Sequence, residues 1–160
     1  MSTPRFTLEA HGLARMSHVS LEVSNLEHAL AFYRDHLGFD VVMDLELEGQ
    51  DFETVTGVRG ARSRMLRGLV AGNSVVQLFW HSWREPADDK RTLLSFEVRD
   101  ARAAHASLSA LGVFCRSDPV EFDNSLAFVI LDPDGHPIEI IQWHPEASPY
   151  RVPSTGTRSM

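Results

Sequence analysis

The sequence predicts an α+β domain assembled from two tandem βαβββ modules, and three observations carry that prediction. The first is an internal repeat. HVSLEVSNLEHALAFYRDHLGF, starting at His18, and LLSFEVRDARAAHASLSALGV, starting at Leu93, both read as strand, polar cap, helix, Leu-Gly and an apolar residue. The second is that three strand-like runs follow each helix. The third is that the closing strands correspond, VVQLFWH beside PIEIIQW, which sets Gln77 against Glu139. Only two helices in all, one per half, and three consecutive strands in each half argue against a doubly wound α/β fold.

Each element has its own local reason. In the first strand Val19, Leu21 and Val23 share one face, and His18, Ser20 and Glu22 share the other. Ser24 with Glu27 fits a capping box, and Leu26, Ala29, Leu30, Tyr33 and Leu37 form the apolar stripe of the helix that follows. Gly38 sits where a helix ends in a left-handed residue. Strands are expected at about 40–47, 63–70 and 74–81, with Glu46 to Gly60 the least regular interior piece. The second module repeats the scheme. Leu94, Phe96 and Val98 oppose Leu93, Ser95 and Glu97, and Asp100 caps a helix whose stripe is Ala101, Ala104, Leu108 and Leu111. Gly112 ends that helix, and strands are expected at about 114–122, 126–131 and 137–143. Asp132-Pro133-Asp134-Gly135 is a strong turn before the last strand. His28, His36 and His105 read as solvated helix residues, and Cys115 as a small core residue.

Composition bounds the function. Apolar residues make up 43% and charged residues 23%, which is globular rather than disordered composition. No apolar run approaches the ~18 residues that cross a bilayer. A single cysteine excludes an internal disulfide. The net charge of −7, with no Lys/Arg run, speaks against nucleic acid and anionic membranes as partners. MSTPRFTLEAHG has no apolar signal region, so a cytoplasmic location is expected. The expected organisation is an N-terminal arm at 1–14, one domain at 15–145 and a C-terminal tail at 146–160. Within the domain the modules fall at about 15–82 and 91–145.

The paired modules, the opening HVSLEVSNLEHALAFYRDHLGF and the closing DPDGHPIEI resemble the vicinal oxygen chelate superfamily over roughly Ala14 to His144. That superfamily includes glyoxalase I, methylmalonyl-CoA epimerase, extradiol dioxygenases, fosfomycin-resistance transferases and bleomycin-binding proteins. The resemblance implies two modules whose mixed sheets curl into an open barrel, helices outside, around one divalent ion such as Zn, Ni, Co, Fe or Mn. It also implies a homodimer and a small-molecule substrate or ligand. The ligand positions map onto His18, Gln77, Leu93 and Glu139.

Three of those four side chains can bind a metal. His18 offers an imidazole, Gln77 a neutral carbonyl oxygen, and Glu139 a carboxylate among Pro137, Ile138, Ile140 and Ile141. Leu93 has no lone pair, which makes occupancy doubtful and removes the second histidine that a non-haem iron dioxygenase needs. His81 lies four residues beyond Gln77, ~13 Å along a regular strand and too far to share an ion with it. The first function expected is therefore a metal-assisted isomerase, epimerase or lyase. It would stabilise an enolate of a small carbonyl or thioester substrate, with Glu139 as catalytic base. Glu48, from the acidic stretch Asp44 to Glu53, is a second candidate base that alternation does not separate from Glu46 and Glu53. The rival is a metal-free binding or resistance protein with a degenerate site, in which Phe79, Trp80, Trp83 and Trp143 include stacking surfaces.

Overall fold

The computed structural model describes residues 16–86 and 92–147; the expected arm at 1–14 and the tail from 148 onward lie outside the described residues. The chain order is β1 (Val19–Glu22), α1 (Leu26–Leu37), β2 (Asp40–Leu47), α2 (Gln50–Thr56), β3 (Ser63–Val70), β4 (Ser74–His81), β5 (Leu94–Glu97), α3 (Ala101–Ala110), β6 (Val120–Glu121), β7 (Ser125–Leu131) and β8 (Pro137–Trp143). The strands form two four-stranded mixed sheets, ordered β1-β4-β3-β2 and β5-β8-β7-β6. This is the α+β architecture of tandem βαβββ modules. No helix among the described residues is long and apolar enough to cross a membrane.

The chain divides into two compact units. One holds β1, β2, α2, β3 and β4; the other holds α1 from Glu27 to His36 together with α3 and β5 to β8. In the first unit β1 runs parallel to β4 and the other pairs are antiparallel. Leu21, Val23, Leu66, Val70, Val76 and Leu78 are buried, the residues that alternation assigns to one face. Gly68 belongs to that face because the Phe39 ring lies against its backbone. A Cβ there would fall 2.5 Å from two ring atoms. Helix α2 is absent from the sequence expectation for a physical reason. It buries no residue and so has no apolar stripe to betray it. It stops at Gly57, left-handed at φ 70°, and Thr54 and Thr56 bond back to the carbonyls of Gln50 and Phe52.

In the second unit Leu94, Phe128, Ile130, Ile138 and Ile140 form the buried face. The side chain of Asp100 caps α3 by accepting from the Ala103 amide at 2.9 Å, as expected. The strand expected over 114–122 contracts to Val120–Glu121, with one isolated bridge from Cys115 to Ile130. Pro119 has no N–H to give to a ladder, which interrupts the pairing just ahead of β6. His105 is not solvated. Its ring stands edge-on to Phe128 with centroids 5.1 Å apart.

The β7–β8 turn is built on Asp132, whose side chain is fully buried. Its Oδ1 accepts the amides of Asp134 and His136, and its Oδ2 accepts the Tyr33 hydroxyl at 3.0 Å and His136 Nδ1 at 2.8 Å. A carboxylate only accepts, so His136 carries its proton on Nδ1. Burial and the neighbouring carboxylates push the Tyr33 phenol above its ordinary value, so it stays a donor. Gly135, at φ 81°, completes the turn where a side chain would be strained. Tyr33→Phe leaves a buried carboxylate short of one donor and is expected to lower unfolding stability by about 1–3 kcal/mol, read by urea denaturation.

Candidate functional site

The face of the first sheet opposite its apolar core carries the chemistry. Register fixes its layout. Ser20 on β1 faces Gln77 on β4, Gln77 faces Arg67 on β3, and Arg67 faces Met43 on β2. One pleat further, Glu22, Phe79, Met65 and Leu45 form the next row. The row after that brings His81 opposite Ser63. His18 lies two residues before Ser20, on the same face.

The first row is a chain of hydrogen bonds. Arg67 donates Nε–H at 3.1 Å and Nη2–H at 2.7 Å to Gln77 Oε1, and Gln77 Nε2 donates to Ser20 Oγ at 2.9 Å. Gln77 is 5% exposed, so its amide is held between the two neighbours. His18 Nδ1 pairs with Ser17 Oγ at 2.9 Å. Burial and then the Arg67 guanidinium push the His18 imidazole below its ordinary value, so it is neutral at pH 7.

The third row forms a second cluster. His81 Nδ1 meets Ser63 Oγ at 2.8 Å, and His81 Nε2 lies 3.5 Å from Glu22 Oε1, which also pairs with Arg84. The Phe79 and Trp83 rings pack on His81 with centroids 4.4 and 4.5 Å away, and Trp83 meets Phe52. Burial is the largest influence on His81 and lowers its pKa. Glu22 opposes that shift and Arg84 adds to it.

On the second sheet Ser95 faces Glu139, and Ser95 Oγ donates to Glu139 Oε2 at 2.6 Å. Glu139 therefore holds the register position in its module that Gln77 holds in the first. Leu93 stands two residues before Ser95, as His18 stands before Ser20, and is 51% exposed. The position equivalent to Arg67 is Val129, opposite Glu139 on β7. Glu48 is exposed between β2 and α2. Structure thus joins Gln77 to Ser20 and Arg67, and Glu139 to Ser95, in two separate sheets. Among the described residues no three His, Cys, Asp or Glu side chains gather as an ion site. Sequence reasoning missed Arg67, Ser63 and Arg84. For Arg67 the signal was present: alternation along SRMLRGLV places it beside Ser63 and Met65, on a strand flanked on both sides.

Comparison with known proteins gives the family. The model of the Glyoxalase/Bleomycin resistance protein/Dioxygenase superfamily matches residues 15–140. The chain belongs to that superfamily. Among solved structures it is similar to a glyoxalase-family protein from Bacillus cereus, at TM-score 0.70 and 22% identity, covering 82% of this chain and 95% of that one. It is similar to the antibiotic-binding protein TnmS3 from a Streptomyces species, at TM-score 0.60 and 25% identity, covering 83% and 98%. It is also similar to the fosfomycin-resistance protein FosX from Listeria monocytogenes in complex with Mn(II) and sulfate, at TM-score 0.58 and 16% identity, covering 84% and 97%. No curated protein sequence matches the chain significantly.

The His81 cluster generates a pH expectation. Its lowered pKa means that the unfolded chain takes up the proton first as pH falls. The stability that neutral His81 contributes is present above its ordinary value of 6.5 and is lost as pH drops through the folded value. Its ring should titrate below 6.5 by NMR. Stability of His81→Gln should fall less than that of the wild type on going from pH ~7 to pH ~5.

Proposed function

We propose that the protein binds a small organic molecule without a resident metal ion, as a binding or resistance member of its superfamily. One observation carries this reading: the Gln77 oxygen that would face an ion accepts two N–H donors from Arg67. A guanidinium therefore stands on the Gln77 oxygen where a ligand set of this kind would hold its one divalent cation. Like charges repel, and Gln77 cannot turn its oxygen to a metal without stripping Arg67 of its partner. Leu93 offers no donor. The donors present do not fit a divalent ion. Arg67 thus reverses the order of the two functions expected from the sequence, placing metal-assisted isomerase, epimerase or lyase chemistry second, with Glu139 or Glu48 as its base. The similarity to TnmS3, an antibiotic-binding protein, supports the same ranking.

The ligand is a small molecule; nothing in the charge pattern favours nucleic acid or membrane. We also propose a homodimer. Val41, Val42, Met43 and Leu45 are exposed on β2, an edge strand of its sheet, and such edges are blunted or paired. Light scattering should then give about twice the 17.9 kDa chain mass. A mass of one chain refutes the dimer.

The metal-free reading is tested by titrating Mn(II) and Co(II) into chelator-treated protein by calorimetry, with elemental analysis of the purified sample. No stoichiometric uptake is expected, and chelation should leave the melting temperature unchanged. A stoichiometric ion lost in His18→Ala would restore the metal-assisted enzyme.

A further inference from the structure

β3 carries two arginines three residues apart on opposite faces, and the protein treats them differently. Arg64 forms a bidentate pair with Asp44, at 3.0 Å through Nε and 2.8 Å through Nη2. Arg67 meets no carboxylate among the described residues. Its partner is a neutral amide that takes Nε–H and one Nη2–H. Among the described residues the rest of the guanidinium's N–H groups have no partner. Its cross-strand neighbours, Met43 and Gln77, bring no charge.

The other groups in the row are also donors. The Gln77 oxygen is filled. Ser20 Oγ accepts from Gln77 Nε2, which leaves its own hydrogen to give away. The row thus presents one permanent positive charge with forked donors and a hydroxyl, and its one amide acceptor is already taken. One pleat on, about 7 Å away, Met65, Phe79 and Leu45 make an apolar strip. The nearest carboxylate on that strip, Glu22, is neutralised by Arg84.

We infer that Arg67 and Ser20 form an oxyanion receptor, and that the ligand is a small aromatic carboxylate or phenolate. Its anionic oxygens meet the guanidinium and its ring lies against Phe79, the partly exposed member of the adjacent row; Met65 beneath it is buried. This inference rests on the metal-free reading above and names the ligand class of that site. The planar fork of Arg67, already braced by Gln77, matches a carboxylate at little cost in side-chain entropy. An apolar body on the adjacent row supplies the desolvation that makes such a pair strong.

The test compares 2-naphthoate with its neutral isostere 2-naphthamide by calorimetry, on the full chain without added metal. The naphthoate is expected to bind about tenfold more tightly, with an advantage that shrinks as salt rises and disappears in Arg67→Met. Should Arg67→Met fail to fold, the wild type decides: the Arg67 Nε–H resonance must shift on titration with naphthoate and stay in place with naphthamide. Equal affinity for the two probes, or no binding of either at millimolar concentration, overturns the receptor and leaves the metal-free reading standing. Naphthoate binding that appears only after Mn(II) is added overturns both.

Discussion

Parallel pairing between the first and last strands of each module is the constraint on which the site depends. A parallel ladder needs a crossover, and the crossover is why a helix follows the first strand in both halves of the sequence. Once β1 lies on β4 in this register, Ser20 must face Gln77, and once β5 lies on β8, Ser95 must face Glu139. A slip of one residue would turn each of these side chains into the apolar face and expose Leu21 or Phe96 instead. The apolar face is therefore what holds the polar face in place. Leu78, at 0% exposure beside Gln77, holds β4 in the register that sets the amide between Arg67 and Ser20.

The molecule deals with its buried polar groups in two contrasting ways. Asp132 sits within a closed set of donors, two of them amides of its own turn, so its charge is matched where it stands. That arrangement is complete and has no room for a ligand. Arg67 is matched only in part: the amide of Gln77 satisfies geometry and leaves charge uncompensated. A charge set in a sheet and left uncompensated lowers stability, and proteins keep such features where they serve binding.

Much of this was legible in the sequence. The repeat, the alternation and the turn chemistry located four of the eight strands to the residue. β3, β4 and β8 bury one face, and that burial writes a period into the chain, whereas β2, which buries no residue, is read from its place after Gly38. Elements that bury little left no such trace. Helix α2 has no buried side chain, and β6 is a two-residue remnant broken by Pro119. The site was legible by position and less so by partner. Alternation and the family resemblance pointed to His18, Gln77 and Glu139, but which atom Gln77 offers depends on its neighbour across the ladder. That neighbour, Arg67, lies ten residues away in the chain, and its significance emerges only when β3 and β4 are laid in register. His136 was hidden for a similar reason: the sequence sets it in a turn and does not show the buried Asp132 carboxylate that its ring meets.

Helix α1 carries a consequence for how the chain is made. It is synthesised early and yet belongs to the second unit, with Tyr33 bonded to a residue 99 positions later. At a synthesis rate of about 5–20 residues per second, the helix waits on the order of 5–20 s on the ribosome before Asp132 exists. During that interval its apolar stripe has no native surface of its own unit to cover. The strands of the first unit are all translated before β5, and α1 lies between β1 and β2 in the chain. Order of emergence and order of packing are thus uncoupled for α1, whose Tyr33 must wait for a partner 99 residues downstream.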